Sequence, residues 1–403
     1  MKTADPSPTP AALERRIKRH LIGPVQSFFA ITAPGLETLC RRELIALPGA
    51  LAVTGIEKGG LTFEGRLHEC YEANLQCRTA HRILMRIEQF RAEQFETLVQ
   101  KTAAIPWELY LPPGGATDVK VRARHSRLYH SDAVAERIQQ GIQTRMAAFA
   151  PVATKKTIDS GHQRIYARLD RDRCQLSIDS SGANLHKRGI KIKSGRAPLR
   201  ETLAAAVLLR AGYTGREILC DPMCGSGTFS LEGALMAKKI PPGWFREFPF
   251  MAWPAFRAAR WRHIRRTAAP PDMAWPQPMI FASDRNPDII RRLQQTLTAH
   301  GLDDVIHADH RNFEDLTGQS FGQTVSGIVV LNPPYGRRLG SRQSIEGIYR
   351  GIDRKLKSDF KGWTAAVLAP NRRLGRHLTF AARRHSIQHG GQPVHVFVGK
   401  IAP

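Results

Sequence analysis

Apolar and polar positions along the chain fall into two different rhythms. From Val25 the stretch SFFAITAP reads as a strand, and GLETLCRRELIAL has the apolar spacing of an amphipathic helix. GGLTFEG predicts a short strand behind a double glycine, and RLHECYEANLQCRTAHRILMRIEQF a helix running into a strand. TDVKVRARHS predicts another strand, and SDAVAERIQQGIQTRM a helix capped at Ser131 or Asp132. QRIYARLDRDRCQLSIDSSG reads as two strands around an Arg-Asp-Arg turn. Short strands mixed with helices make residues 25–180 an α+β unit.

The second rhythm begins at Ala197 and belongs to residues 181–403. A helix, APLRETLAAAVLLRAG, leads to REILCD as a buried strand, a glycine-rich turn and the helix TFSLEGALMAKKI. MIFASD, DVIHAD, SGIVVLN and WTAAVLAP follow as strands, with PDIIRRLQQTLTAHG as a helix between the first two. Strands alternating with helices predict an α/β fold with a parallel, doubly wound sheet. The segment 241–278, with Trp244, Trp253, Trp261 and Trp275, breaks the rhythm and is expected as an insertion lying over the sheet. Its tryptophans either stack bases or cover the core. Residues 1–24 are Pro-rich and basic without the apolar core of a signal peptide, and are expected to form a flexible tail.

Charge narrows the partners. Sixty Lys and Arg face thirty-five Asp and Glu, a formal +25. The first 180 residues carry net +7 and the remainder +18, so the field is concentrated in the second half and attracts polyanions. Six cysteines form no CxxC pair and the fifteen histidines include no HExxH, which predicts a reduced, metal-free cytoplasmic protein. The absence of a run of eighteen apolar residues argues against a membrane span.

The chemistry concentrates at strand ends. In DPMCGSGTF an acid, Asp221, ends a strand, then Gly225 and Gly227 open a turn into a helix, where backbone can approach a ligand closely. The spacing is neither GxGxxG nor GxxxxGKS, which favours an adenosine-containing cofactor over a bare phosphate site. Asp284 ends the next strand, where a carboxylate can accept both ribose hydroxyls, and Asp309 ends the third, where it can meet an adenine amino group. Asn332 follows the fourth strand, Pro333 and Pro334 stiffen the chain, and Tyr335 offers a ring. This set suits a planar group bearing an exocyclic amine. Its two hydrogens donate to the Asn332 amide oxygen and the Pro333 carbonyl, and its ring lies on Tyr335. Holding both hydrogens lessens the amine's conjugation and aims its lone pair at an electrophile.

DPMCGSGTF followed by NPPYGRRLG resembles class I S-adenosylmethionine-dependent methyltransferases that modify exocyclic amines. DSSGANLHKRGIKIKSGRAPLRETLAAAVLL, FFAITAPGLETLCRREL, GGLTFEG, YEANLQCRTAHRILMRIEQF and IPWELYL are similar to THUMP-domain RNA methyltransferases of the 23S rRNA guanine-N2 branch. The resemblance covers residues 25 to about 400. It implies a ferredoxin-like and THUMP RNA-capture module before a Rossmann-like catalytic sheet. It also implies cofactor contacts from Asp221, Cys224, Gly225, Gly227, Asp284 and Asp309, with Asn332, Pro333 and Tyr335 at the target base. Two positions depart from the family pattern: Ser283 stands for a glycine and Asn286 for an acid. Some relatives carry a second catalytic domain fused at the C-terminus; this sequence stops soon after PVHVFVGKIAP, so a single modification is expected.

The basic stretch His186 to Arg196 joins the modules, and its Lys187, Arg188, Lys191 and Lys193 face either RNA phosphate or solvent. Arg337 and Arg338 are placed to hold the strand carrying the target. The expected function is methyl transfer from S-adenosylmethionine to the N2 amine of a guanosine in large-subunit rRNA, by a monomer. The same chemistry on tRNA guanosine or DNA adenine, or an RNA-binding assembly factor with a vestigial pocket, remain as alternatives.

Overall fold

The computed structural model describes residues 9–149, 162–190, 199–271, 275, 277–322, 326–333 and 342–403. Two seven-stranded sheets organise them. The first holds β1 (Gln26–Thr32), β2 (Ala52–Glu57), β3 (Gly60–Gly65), β4 (Ala80–Arg91), β5 (Thr117–Arg124), β6 (Gln163–Asp170) and β7 (Arg173–Asp179), in the order β2-β3-β1-β4-β7-β6-β5. Strand β4 has twelve residues, and its two halves have different partners. Its first half pairs with β1, and Leu84 to Arg91 pair with β7. One long strand thus fuses two small sheets and removes an edge from each.

Helix α1 (Pro10–Ile17) opens the described chain, capped by the Thr9 side chain with Pro10 at its first position. Ile17 and Leu21, four residues apart, are buried in the core beneath the first sheet. Arg16 meets buried Glu108 at 2.8 Å and Glu14 meets Arg257 at 2.6 Å. The flexible tail expected over residues 1–24 is therefore corrected from Pro10 onward, because two apolar anchors and two ion pairs hold the segment down. That core also takes Leu44 of α2 (Glu37–Ile45), Tyr71 of α3 (Leu67–Gln76), Leu98 of α4 (Phe95–Ala104) and Ile138 of α5 (Ser131–Ala147). These helices lie against Phe28, Met85, Ile165 and Leu176 on one sheet face; the alternate residues form the other face.

After α6 (Glu201–Ala211) the second sheet begins. Its elements are β8 (Ile218–Asp221), α7 (Thr228–Ala237), α8 (Ala258–Thr267), β9 (Ile280–Asp284), α9 (Pro287–His300), β10 (Ile306–His310), β11 (Gly327–Leu331), α10 (Arg342–Asp359), β12 (Thr364–Ala369), α11 (Arg372–Gly375), β13 (Arg383–His389) and β14 (Gln392–Lys400). The order is β10-β9-β8-β11-β12-β14-β13. Apolar residues of α6, α7 and α9 pack one face, and Tyr349, Ile352 and Leu356 of α10 pack the other. The first five strands are parallel, but β14 runs antiparallel to β12 and β13. The parallel, doubly wound sheet expected holds for those five strands, and the last hairpin makes the whole sheet mixed. Gly390 and Gly391 both have positive φ and close a tight β13–β14 hairpin, which can only be antiparallel. Strand order reverses between β8 and β11, so a crevice opens beyond their carboxyl ends.

The insertion lies mainly on the front module rather than over the second sheet, although Trp244 and Trp275 pack against the core of that sheet. Phe248, Phe250, Trp253 and Trp261 belong to the core of the front module, with the Phe250 ring stacked on Tyr71 at 4.2 Å. The Trp253 indole N–H donates to Gln163 Oε1 at 2.8 Å. Its buried aromatics find their apolar surface on α3 rather than on solvent-facing bases. Arg246 adds a polar clamp. Its guanidinium donates to the carbonyls of Ser181, Ala183, Asn184 and Lys187, so the linker between the sheets wraps around it. Phe250 has no exposed surface. Phe250→Ala will destabilise the protein by about 3–5 kcal/mol in a denaturant melt, as for other buried aromatic truncations.

Candidate active site at the carboxyl edge of the second sheet

The strand β8 ends in Asp221, which is almost fully buried. Its Oδ2 accepts from the Ser230 hydroxyl at 2.8 Å and from the Ser230 N–H at 3.3 Å. Burial, reinforced by nearby Asp284, pushes its carboxyl up to about 7 against those hydrogen bonds. Its other oxygen, Oδ1, is buried without a partner. Gly225 follows at φ +52°, and a Cβ built on it meets nothing within 4 Å. Gly227, at φ +71°, would instead drive a Cβ to 2.5 Å from Leu293 Cδ1. The first glycine leaves the crevice open, whereas the second lets α7 seat against α9.

Asp284 ends β9 beside this turn. Its Oδ2 accepts the Gly225 N–H at 3.1 Å and its Oδ1 the Asn286 N–H at 2.9 Å, so two backbone amides fix the carboxylate. The Asn286 side chain accepts from Asp288 N–H and caps α9, a position an acid would fill equally well. Cys224 donates its N–H to the Ser283 carbonyl at 2.9 Å. Burial raises its thiol well above the ordinary range, so it packs and offers no thiolate. Asp309, on β10, is half-exposed and its Oδ2 pairs with Arg311 at 2.8 Å. It stands across from Ser283 in the register.

Asn332 and Pro333 follow β11, next to β8. The Asn332 amide oxygen is buried and unpartnered, like Asp221 Oδ1 and Ser283 Oγ. Three of the eleven such atoms among the described residues therefore fall at the ends of β8, β9 and β11. A buried acceptor without a donor costs roughly 1–3 kcal/mol, so a polar ligand is the physical expectation at this edge. The free carboxylate oxygen of Asp221, the fixed carboxylate of Asp284 and the open space at Gly225 suit a cationic, hydroxyl-bearing cofactor. Tyr335, Arg337, Arg338, Lys191 and Lys193 lie outside the described residues.

Arg188 overturns its expected place on the RNA. It is buried, and its Nε donates to Glu232 Oε1 at 2.7 Å, with Nη2 to Oε2 at 3.3 Å. Two further hydrogens go to the carbonyls of Leu185 and Arg78, each at 2.8 Å. Arg78 also faces Glu232 at 3.8 Å and donates to the carbonyl of Ile240 at 2.8 Å. A lone acid in the apolar helix TFSLEGALMA demands a buried counter-charge, and the nearest linker arginine supplies it. Only Lys187 of the described linker cations is exposed. Glu232 and Ser230 were not among the expected site residues. The signal for Glu232 was that misplaced charge.

A glycine turn after the first strand, acids ending the first two strands and an amide ending the fourth define a Rossmann-like methyltransferase behind an α+β module. Residues 188–391 match the model of the RMKL-like methyltransferase domain, residues 27–84 the RlmL ferredoxin-like domain and residues 92–179 the THUMP domain. The chain belongs to the RMKL-like methyltransferase family. Ribosomal RNA large subunit methyltransferase K/L of Syntrophotalea carbinolica is 35% identical over 364 residues, which is 89% of this chain and 51% of that protein. The protein slr0064 of Synechocystis sp., provisionally named an RNA methyltransferase, is 32% identical over 91% of this chain and 94% of its own. The chain thus spans about half the length of the K/L relatives and nearly all of slr0064. SMU.472, provisionally named a methyltransferase and solved in complex with SAH, superposes with a TM-score of 0.83 at 26% identity, covering 94% of this chain and 99% of that one. A Listeria monocytogenes protein, named as a predicted N6-adenine-specific DNA methylase, gives 0.81 at 29% identity over 94% of this chain and 97% of its own. Among the described residues, no helix is long and apolar enough to cross a membrane.

The two glycines separate in a stability test. Gly227→Ala adds a clash with buried Leu293 to the left-handed strain and will cost about 2–4 kcal/mol in a thermal melt. Gly225→Ala, with open space around it, will cost only about 1–2 kcal/mol.

Proposed function

We propose that the protein transfers a methyl group from S-adenosylmethionine to the exocyclic N2 amine of a guanosine in 23S rRNA. The observation that carries the reading is the buried, unpartnered amide oxygen of Asn332 at the end of β11, beside the strand that carries the glycine turn. When bound, the cofactor supplies an electrophilic methyl group on a sulfonium. The cofactor is held by the free Asp221 oxygen, the open backbone at Gly225 and the carboxylate of Asp284, with Ser283 and Asp309 at the flank. Cys224 and Gly227 shape the turn. The Asn332 amide oxygen and the Pro333 carbonyl accept the two amine hydrogens, and Tyr335 stacks on the base. The amine's proton leaves to water, since no other base is needed once the nitrogen becomes cationic. Support for RNA comes from the THUMP match, the names of the K/L relatives and the +25 charge. In this reading the protein works as a cytoplasmic monomer without a metal ion, and Lys187, Lys191, Lys193, Arg337 and Arg338 lie along the RNA.

The test offers labelled S-adenosylmethionine with unmodified 23S rRNA, bulk tRNA and DNA in turn, then identifies the labelled nucleoside by mass spectrometry. Label is expected in N2-methylguanosine from 23S rRNA. Label in tRNA or in methyladenine instead would overturn the substrate, and no cofactor binding would favour a non-catalytic assembly factor. Asn332→Ala will lower turnover at least about 10²-fold while cofactor affinity stays within about twofold.

Asp221 gives a pH signature. Its carboxyl is raised to about 7 in the folded protein, so the fold holds the proton more tightly than the unfolded chain does. Its contribution to stability is complete below about 4 and lost as the pH rises through about 7. The cofactor's cation needs the ionised form. Cofactor affinity, read by calorimetry, will therefore weaken from pH 8 to 6, by at most about tenfold per unit. Asp221→Asn will flatten that dependence and weaken binding, yet melt at a higher temperature than the wild type at pH 8.

A further inference from the structure

The helix-free face of the first sheet is crowded with arginines. The register across its outer strands sets Arg122 of β5 opposite Arg168 of β6, and Arg168 opposite Gln175 of β7. Toward the strand ends, Arg124 faces Asp170 and Asp170 faces Arg173. The hairpin between β6 and β7 turns on Arg171 and Asp172, both at positive φ. It is not a loose loop. Asp172 accepts the Arg127 N–H at 2.7 Å and donates its own N–H to the Ser126 hydroxyl at 3.0 Å, and its carbonyl accepts from Ala92 N–H at 2.9 Å. This fixed turn places Arg171 in the lining of an open concavity of about 830 Å³, together with Arg86, Arg91, Arg168 and Arg173 and one acid, Asp170.

The cations there outnumber their counter-charges. Glu57 pairs with Arg168 at 2.5 Å and also faces Arg86, so one carboxylate serves two guanidiniums. Asp118 is taken by Lys120 and Arg164, at 3.0 and 3.3 Å. Among the described residues, Arg122, Arg124, Arg171 and Arg173 pair with no carboxylate. Guanidiniums held on a rigid strand lattice match the planar, bidentate geometry of phosphate. The aromatic rings here are already engaged: the Arg86 guanidinium lies over Phe29 at 5.1 Å, that of Arg82 over Tyr166 at 5.5 Å, and the Lys101 ammonium over Phe90, which lines the concavity, at 5.8 Å. None of the three rings is fully exposed, so none forms an open stacking platform for bases.

We propose that this face, centred on the β6–β7 turn, is a backbone-reading surface for structured RNA that takes phosphates rather than bases. The proposal rests on RNA being the substrate. It locates capture on the sheet face opposite α2 to α5, away from the linker cations, and makes capture indifferent to base sequence.

Arg171→Glu/Arg173→Glu tests it against Arg41→Glu/Arg42→Glu, an equal change of charge on exposed positions of α2, on the helix side. Binding of unmodified 23S rRNA fragments is measured without cofactor between 50 and 200 mM salt, along with far-UV circular dichroism, melting temperature and S-adenosylmethionine affinity. The β6–β7 pair removes two cations from the phosphates, so the slope of log affinity against log salt is expected to fall in magnitude by about 1.4–1.8. The fall is the same for scrambled fragments of equal length, and the α2 pair moves the slope much less. An unchanged slope in the β6–β7 pair, an equal change in the α2 pair, or a weakening confined to one base sequence overturns the surface while leaving the substrate reading intact. Wild-type protein that binds no RNA overturns both.

Discussion

A carboxylate side chain with no exposed surface, Glu232, sits in the helix that follows the glycine turn. Taking a carboxylate out of water costs several kcal/mol unless a counter-charge and hydrogen bonds replace the solvent. Here the replacements come from elsewhere in the chain. Arg188 arrives from the linker and Arg78 from just before β4. Burial lowers the affinity of Arg78 for its proton and Glu232 opposes that shift, which marks the charges as mutually dependent. Front module, linker and cofactor helix therefore share one electrostatic knot.

That knot explains why the linker is a joint rather than a tether. Asp179 pairs with buried Arg82 and accepts the N–H groups of Ser181 and Gly182. Ser180 and Ser181 bond to Asn74 of α3, and Arg246 gathers four carbonyls of the same stretch. The run DSSGANLHKRG is therefore a folded piece whose polar groups are spent on the front module and the insertion. The proposed capture of RNA on one domain and modification of a base on the other needs a fixed distance between the two. A wrapped, hydrogen-bonded joint supplies it, while the insertion stacks Phe250 on Tyr71 of α3.

Much of this was legible in the chain, where the deciding forces are local. The apolar pattern placed β1, β3 and β4 to β12, and the Gly225 and Gly227 turn between Asp221 and α7 follows from glycine's access to positive φ. The Asn332 amide stood out because an apolar strand ends there. The misreadings share another cause. Arg188 sits in a basic run and reads as exposed until its partner, forty-four residues on, is known. The segment from Pro10 has the composition of a tail, although Ile17 and Leu21 lie on one face. The insertion's aromatics gave no direction, because a tryptophan pattern does not say which core it enters. The β13–β14 hairpin carried its own signal in the paired glycines 390 and 391, flanked by alternating residues.

Calorimetric unfolding of Glu232→Gln beside Arg188→Met and the double variant tests the knot most directly. Removing one charge strands the other, so each single variant will lose about 3–5 kcal/mol, and the double variant less than their sum. The wild type will melt in one transition, and Glu232→Gln will separate the front module from the methyltransferase domain. Two transitions in the wild type, or single variants as stable as the wild type, would contradict the shared knot.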